Sequence, residues 1–316
     1  MKRYSLLAGM MMVAAISCKI QSDSDRSYDL HDADKVYKLQ LNPTSGSAYH
    51  YDMENKTAIE INAEGKEVNT VNESEAGFNY SVGKDSAGDY LFTTTYDKIK
   101  LKTKNGDTET EADAANAMVS IDPVEKMLGI LKAASIRATV TPNGEVKEVK
   151  GYDELEEKLM AGFAPNDDYG KHMAHTQWKK LIGEGVVKNT MDQLFQLFPD
   201  SAIHLHDTWK LNSTQAGELP MIVKNIYTLK AINDDIAIIT SEGIMTSDKL
   251  SNSVVGYSNV AGKLEGKQKG EFEVETKTGI LISSKVMANI EGVLQVMGKD
   301  IPVKIKTSIK MIGRKK

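Results

Sequence analysis

The sequence predicts an α+β fold: a long antiparallel, curved β-sheet in two halves, with a central helical segment packed against it. Apolar and polar residues alternate with the period of a strand in the first and last thirds of the chain. The middle switches to helical spacing. The connections are of hairpin length, with no Pro/Gly/Ser-rich linker between the halves. The expected organisation is a signal segment over residues 1–17, a flexible tether over 18–34 and a single domain over 35–316. Within that domain 35–150 and 201–316 are β-rich and 151–200 helical.

Order is expected from Lys35. Val36-Tyr37-Lys38-Leu39-Gln40-Leu41 sets Tyr37, Leu39 and Leu41 on one face of a strand, and Ala58-Ile59-Glu60-Ile61 repeats the period. Tyr90 to Lys104 continues it, with Ile99 and Leu101 alternating against Lys98, Lys100 and Lys102. Turn signals at Asn42-Pro43, Glu64-Gly65, Ala87-Gly88-Asp89 and Asn105-Gly106-Asp107 cut the run into a meander with one wet face. At Asp122-Pro123-Val124-Glu125 an N-cap, a proline at the first helical position and an acid in the first turn precede Met127, Leu128 and Leu131 at helical spacing. Ile136–Thr141 and Glu145–Val149 flank Pro142-Asn143-Gly144, a hairpin.

Asp153 to Ala161 and Asp168 to Phe198 read as helices, the second interrupted around Gly183-Glu184-Gly185. Strands return over Ile222–Ile232, Ile236–Met245, Glu271–Glu275, Ile280–Ile290 and Val303–Met311, with a turn at Thr276–Gly279. The Lys-rich alternation at 98–104 and 304–310 reads as the wet face of strands, with lysine also guarding a sheet edge.

At the start of the chain Lys2 and Arg3 precede an apolar run from Leu6 to Ile16, then small residues and Cys18. That is the layout of an export signal, too short to cross a bilayer as a helix. Ala15-Ile16-Ser17-Cys18 resembles the bacterial lipobox, although Ala15 stands where leucine is commonest. The resemblance implies that Cys18 is acylated, that the chain is tied to the outer membrane by its lipid, on the periplasmic or the surface face, and that the signal is removed. Cys18 is the only cysteine among 316 residues, so the domain has no sulfur for disulfides and must stand on packing.

With 41% hydrophobic and 26% charged residues the chain falls in the ordinary globular range. Its formal charge of −5 becomes −7 once Lys2 and Arg3 are removed. A mildly acidic domain lacks the basic face that phosphate backbones require, which argues against a nucleic-acid partner.

Histidine offers one candidate metal cluster, with His172 and His175 on one helical face and His204 and His206 two apart. Four nitrogens would suit tetrahedral zinc, but the spacings match no zinc signature, and solvated histidines are the expectation. The serine elbow Gly-x-Ser-x-Gly and the phosphate loop are absent. The acid pairs Glu156-Glu157 and Asp234-Asp235 fit a helix surface and a hairpin turn, so solvation accounts for them. No cofactor is expected.

The largest apolar feature is a helical stripe that includes Trp178, Leu181, Met191, Leu194, Phe195 and Phe198. Such a stripe ordinarily packs on its own sheet. The order of elements is also similar to lipoprotein carriers, in which a helix lies in the concave face of a curved sheet around a lipid or acyl chain.

A second resemblance rests on Val140-Thr141-Pro142-Asn143-Gly144-Glu145-Val146, Gly151-Tyr152-Asp153-Glu154-Leu155 and His206-Asp207-Thr208-Trp209. In this order the motifs resemble an uncharacterised family of Bacteroidota lipoproteins, DUF6263. His206 stands where the family often has glycine. The resemblance implies location and fold and transfers no catalytic residues. The expected role is therefore non-enzymatic, a membrane-anchored protein binding a hydrophobic ligand between sheet and helices through the stripe. The alternatives are docking of another envelope component, and third a zinc-dependent or serine hydrolase.

Overall fold

The computed structural model describes residues 35–63, 65–161, 175, 184–215, 219–247, 253–255 and 258–316. Cys18, the signal segment and the tether lie outside them. In chain order the strands are β1 (Ala48–Ala63), β2 (Lys66–Lys84), β3 (Tyr90–Asn105), β4 (Thr108–Asp113), β5 (Ser135–Val140) and β6 (Val146–Lys150), then β7 (Thr208–Gln215), β8 (Met221–Asn233), β9 (Ile236–Thr246), β10 (Ser253–Val255), β11 (Ser258–Glu275), β12 (Leu281–Val296) and β13 (Lys299–Lys315). The described helices are α1 (Pro123–Lys132), α2 (Tyr152–Ala161) and α3 (Glu184–Phe195).

Among the described residues thirteen antiparallel strands form one open sheet in the order β6-β5-β3-β2-β1-β13-β12-β11-β9-β8-β7, with β4 on β3 and β10 on β11. The two halves of the chain meet at β1 and β13, paired from Tyr49↔Lys315 to Ile61↔Val303. The alternation of residue types sorts the side chains between faces, because successive residues of a strand point to opposite sides. In β8, Met221, Val223, Tyr227 and Leu229 are buried while Lys224, Ile226 and Lys230 are exposed.

The helices cover the inner face. As expected, Asp122 caps α1, its carboxylate accepting from the Val124 N–H at 2.7 Å with Pro123 in the first turn, and Leu128 and Leu131 are buried. α2 buries Tyr152, Leu155 and Leu159. α3 touches both edge strands, β6 and β7, and so spans the gap that the sheet leaves open. Its Phe195 ring lies 4.5 Å from Phe92 and 5.8 Å from Tyr80. Gly144, at φ 88°, supplies the left-handed turn between β5 and β6, and a Cβ there would fall 1.9 Å from the Phe195 carbonyl oxygen. Trp209 of β7 stacks on Tyr227 at 5.7 Å and donates its indole N–H to the Leu197 carbonyl at 3.1 Å.

Two expectations fail. Val36–Leu41 is not a strand of the sheet. It is a strap: Tyr37 exchanges backbone hydrogen bonds with Ile203, the Leu41 N–H donates to Pro142 and the Asn42 N–H to Thr278. Leu39 and Leu41 are buried beneath it, so its alternation records a segment lying on the core rather than sheet pairing. Nor do the lysine runs guard an edge, since β3 and β13 lie inside the sheet. On the wet face the lysines find cross-strand acids instead, Lys100 with Asp113 at 2.7 Å and Lys102 with Glu109 at 2.8 Å. Such exposed pairs add little to stability and serve mainly to fix register.

The inner face holds two apolar clusters. The larger lies under the helices, around Phe92, Ile136, Leu229 and Ile239. The smaller lies farther along the strands and includes Ile59, Met245, Leu264, Ile290 and Ile305. Between them runs a belt of small and polar residues in register across the sheet: Thr57, Thr307, Ala288, Gln268, Gly243 and Asn225. Within it the Thr57 and Thr307 hydroxyls hydrogen bond at 2.9 Å.

Candidate functional site

Of the residues expected to line a ligand site between sheet and helices, Trp178 and Leu181 lie outside the described residues. Met191, Phe195 and Phe198 are buried in the larger core cluster, and Leu194 is half-buried against it. A cavity of about 50 Å³ on that side lies between Asp192 of α3, Gln196 just beyond its end, and Asn225, Tyr227, Gln268 and Phe272 of the sheet. That is room for a water or two rather than an acyl chain. Its walls mix polar groups with Leu211, Val223, Val286 and Ile309, and on the polar side the Val146 N–H and the Gln196 side-chain amide both donate to Asp192, at 3.1 and 3.2 Å. Burial pushes the Asp192 carboxyl above the ordinary aspartate value, against the pull of the Val146 hydrogen bond. Burial likewise raises the Tyr227 hydroxyl to about 12.

The histidines do not form one described centre. His172 is outside the described residues, His175 pairs with Glu156 of α2, and His204 Nδ1 lies 3.4 Å from Asp207. The His204 backbone N–H also donates to the Asp207 carboxylate at 2.7 Å and holds its pKa below the ordinary value. His206 is exposed at φ 71°, the left-handed conformation that explains why glycine suits that position. Among the described residues no three His, Cys, Asp or Glu side chains converge as a metal site would require.

A far larger cavity, about 1030 Å³, lies on the outer face, where β1, β13, β12, β11 and β9 form an open trough. Two cross-strand rows line it. One runs Glu60, Lys304, Glu291, Glu265, Thr246, and the next runs Lys306, Asn289, Lys267, Ile244. Ile244 is 60% exposed and Val293 39% exposed, so the floor presents apolar side chains to solvent. Lys263 pairs with Glu265, and Lys306 reaches Glu60 at 3.6 Å. Lys267 and Lys304 make no ion pair among the described residues. The trough thus sets two separate exposed apolar side chains, Ile244 on β9 and Val293 on β12, among the ammonium groups of Lys267 and Lys304, with the Glu291 carboxylate beside Lys304.

Glycine shapes this floor. A Cβ on Gly292 would lie 2.1 Å from the Lys263 carbonyl oxygen, and one on Gly266 2.5 Å from that of Asn289. β11 and β12 therefore approach more closely than side chains would allow. Hydrophobic alternation does not find this site, because residues 258–270 are dominated by Lys, Glu, Gln and Gly. The available signal is the spacing of Gly262, Gly266 and Gly270, four apart and hence on one face of a strand.

A family model described as a family of unknown function, DUF6263, matches residues 87–281, more than half of the chain. The chain belongs to the DUF6263 family. The match runs from the turn before β3 to the first residue of β12, and so takes in all three described helices, both edge strands and the β11 side of the trough. No curated protein matches this DUF6263 chain in sequence.

Among solved structures, it is similar to lipovitellin, in a structure concerned with lipid–protein interactions, at a TM-score of 0.51 and 10% identity over 86% of this chain. The chain spans about a quarter of the lipovitellin chain, 25%, so the likeness is one of fold. An outer-membrane channel from Pseudomonas putida F1 aligns at a TM-score of 0.23 and 6% identity, covering 91% of this chain and 100% of the channel. A domain assigned to outer-membrane lipoprotein sorting in Vibrio parahaemolyticus aligns at 0.13 and 7% identity, covering 84% and 85%. Neither overlap is close enough to carry an argument.

Proposed function

We propose that this DUF6263 protein is a non-enzymatic envelope lipoprotein, anchored through acylated Cys18, that holds an anionic amphiphile such as a fatty acid or lipid in the outer trough. The observation that carries the reading is the trough itself. Its volume of about 1030 Å³ lies at the upper end of small-molecule sites, and exposed Ile244 lies directly across from Lys267, which forms no ion pair among the described residues. An acyl chain laid along the trough would cover Ile244 and Val293 and remove them from water, and a carboxylate or phosphate head would meet Lys267 or Lys304. The fold shared with lipovitellin, a protein studied for its lipid contacts, supports lipid as the ligand class. Of the expected site beneath the helices, Met191, Phe195 and Phe198 are buried in the core cluster, whereas the trough is open to a ligand, which favours the trough as the site.

Native mass spectrometry of the Cys18→Ser chain with oleate tests the trough. One oleate per chain is expected, recovered unchanged, and its affinity should fall at least tenfold in Ile244→Asp/Val293→Asp. Equal affinity in parent and variant would remove the trough as the site. The anchor has its own test: radiolabelled palmitate should label the parent and leave Cys18→Ser unlabelled.

A further inference from the structure

The segment between the 3₁₀ turn Ala114–Asn116 and α1 carries the most exposed apolar side chains of the described protein. Met118 is 98%, Val119 87% and Ile121 93% exposed, three large apolar groups within four residues. Single exposed hydrophobic side chains are ordinary, but such a run at a loop tip is not.

The loop is built to hold them outward. The Val119 and Ser120 N–H groups both donate to the Asn116 carbonyl at 3.0 Å. The Glu125 carboxylate accepts from the Asp113 N–H at 3.2 Å and from the Asn116 side chain at 3.0 Å, and the Ser120 hydroxyl accepts from the Asp122 N–H at 2.9 Å. With its polar groups turned onto Glu125, Asp122 and its own backbone, the loop leaves only apolar side chains for the outside.

We infer that the loop 117–121 is a membrane-inserting wedge, dipping Met118, Val119 and Ile121 into the surface of the bilayer to which the chain is tied. The inference rests on the reading that places the protein at a membrane. Two considerations favour lipid over a protein partner. A stable protein interface buries about 800 Å² on each side, which a tip of three side chains does not offer, whereas shallow insertion of a few apolar groups suffices at a lipid surface. The 17 residues from Cys18 to Asp34 span at most about 60 Å, so an anchor at Cys18 keeps the domain within reach of its own bilayer. The charges beside the loop are mixed, Asp122 and Lys126 being exposed with Glu125 engaged, so insertion runs on apolar burial and does not depend on anionic lipid.

The chain has a single cysteine, so Cys18→Ser/Met118→Cys carries one thiol for an environment-sensitive dye, and Cys18→Ser/Thr108→Cys is its control. With phosphatidylcholine vesicles the dye at position 118 should shift to the blue and brighten while that at 108 stays water-like, with little change between low and high salt. Met118→Ser/Val119→Ser/Ile121→Ser in the Cys18→Ser background should lower vesicle partitioning at least tenfold, keeping the parent's thermal midpoint and oleate affinity. A water-like dye at 118 on vesicles, or a triple variant that partitions like its parent, overturns the wedge. Because no acyl chain is present and oleate is read separately, failure here differs from failure of the anchor or of the trough.

Discussion

On β12 and β13, Ile290 and Ile305 face inward and are almost wholly buried in the smaller apolar cluster, while Glu291, Val293 and Lys304, an odd number of residues away, face the trough. The same backbone therefore serves two unrelated ends on its two faces. Inward residues hold the fold through burial, and outward residues present isolated apolar side chains and ammonium groups to solvent. Because side chains on opposite faces do not touch, substitutions on one face should leave the property of the other unaltered. Stability and binding become separable measurements on one sheet.

The largest expected effect is on the inner face. Phe92 is fully buried and packs its ring on Tyr80, Tyr90 and Phe195. Phe92→Ala should cost about 3–5 kcal/mol in denaturant unfolding. The protein that remains folded should bind oleate as the parent does; a loss of affinity in proportion to the loss of stability would break the separation of faces.

Gly292 is the expected exception. It points inward, yet its lack of a side chain sets how closely β11 and β12 approach under the trough. Gly292→Val should cost about 1–3 kcal/mol by overpacking and abolish oleate binding as well. If binding survives while stability falls, the close approach does not shape the trough. Next in size, Lys267→Gln/Lys304→Gln on the outer face should move stability by no more than about 0.5 kcal/mol. Oleate affinity should fall several-fold and lose its salt dependence, and an unchanged affinity would locate the carboxylate elsewhere.

The fold was more legible in the sequence than the site, for a physical reason. Where one face of a strand is buried against helices, period-two apolar residues mark it, as over Tyr90–Lys104 and Ile222–Ile232. Helix α1 was readable from its cap, because a local hydrogen bond needs only local residues. The strap at 37–42 shows the limit: alternation reports that every second residue is buried, not what covers it. The trough was harder still. Its residues are charged, small or isolated apolar groups, indistinguishable in sequence from any wet strand face, and only the register of five strands makes Ile244, Lys267 and Asn289 neighbours. The apolar, helical character of the stripe at Met191 and Phe195 is local and legible, while its use as core depends on Tyr80 and Phe92, far away in the chain.

The smallest expected effect concerns a charge on the inner side. Asp192 of α3 is half-buried, and burial raises its pKa, so the folded state holds the proton more tightly than the unfolded chain. The ionised carboxylate therefore lowers stability above its folded pKa. That loss is recovered as pH falls through the folded pKa, and the recovery is complete below the unfolded value of about 3.9. Asp192→Asn keeps an oxygen to accept from the Val146 N–H and the Gln196 amide, and removes the charge. The variant should equal or exceed the parent at pH 7 by up to about 1 kcal/mol, since solvent screens a half-exposed group, and the difference should vanish only below the unfolded value, towards about pH 3. Thermal melts of both chains at the two pH values read this directly. Destabilisation by Asp192→Asn at pH 7 would mean that attraction to Lys188 outweighs burial, making the charge a tie between α3 and its surroundings rather than a cost of placing a carboxylate beside the core.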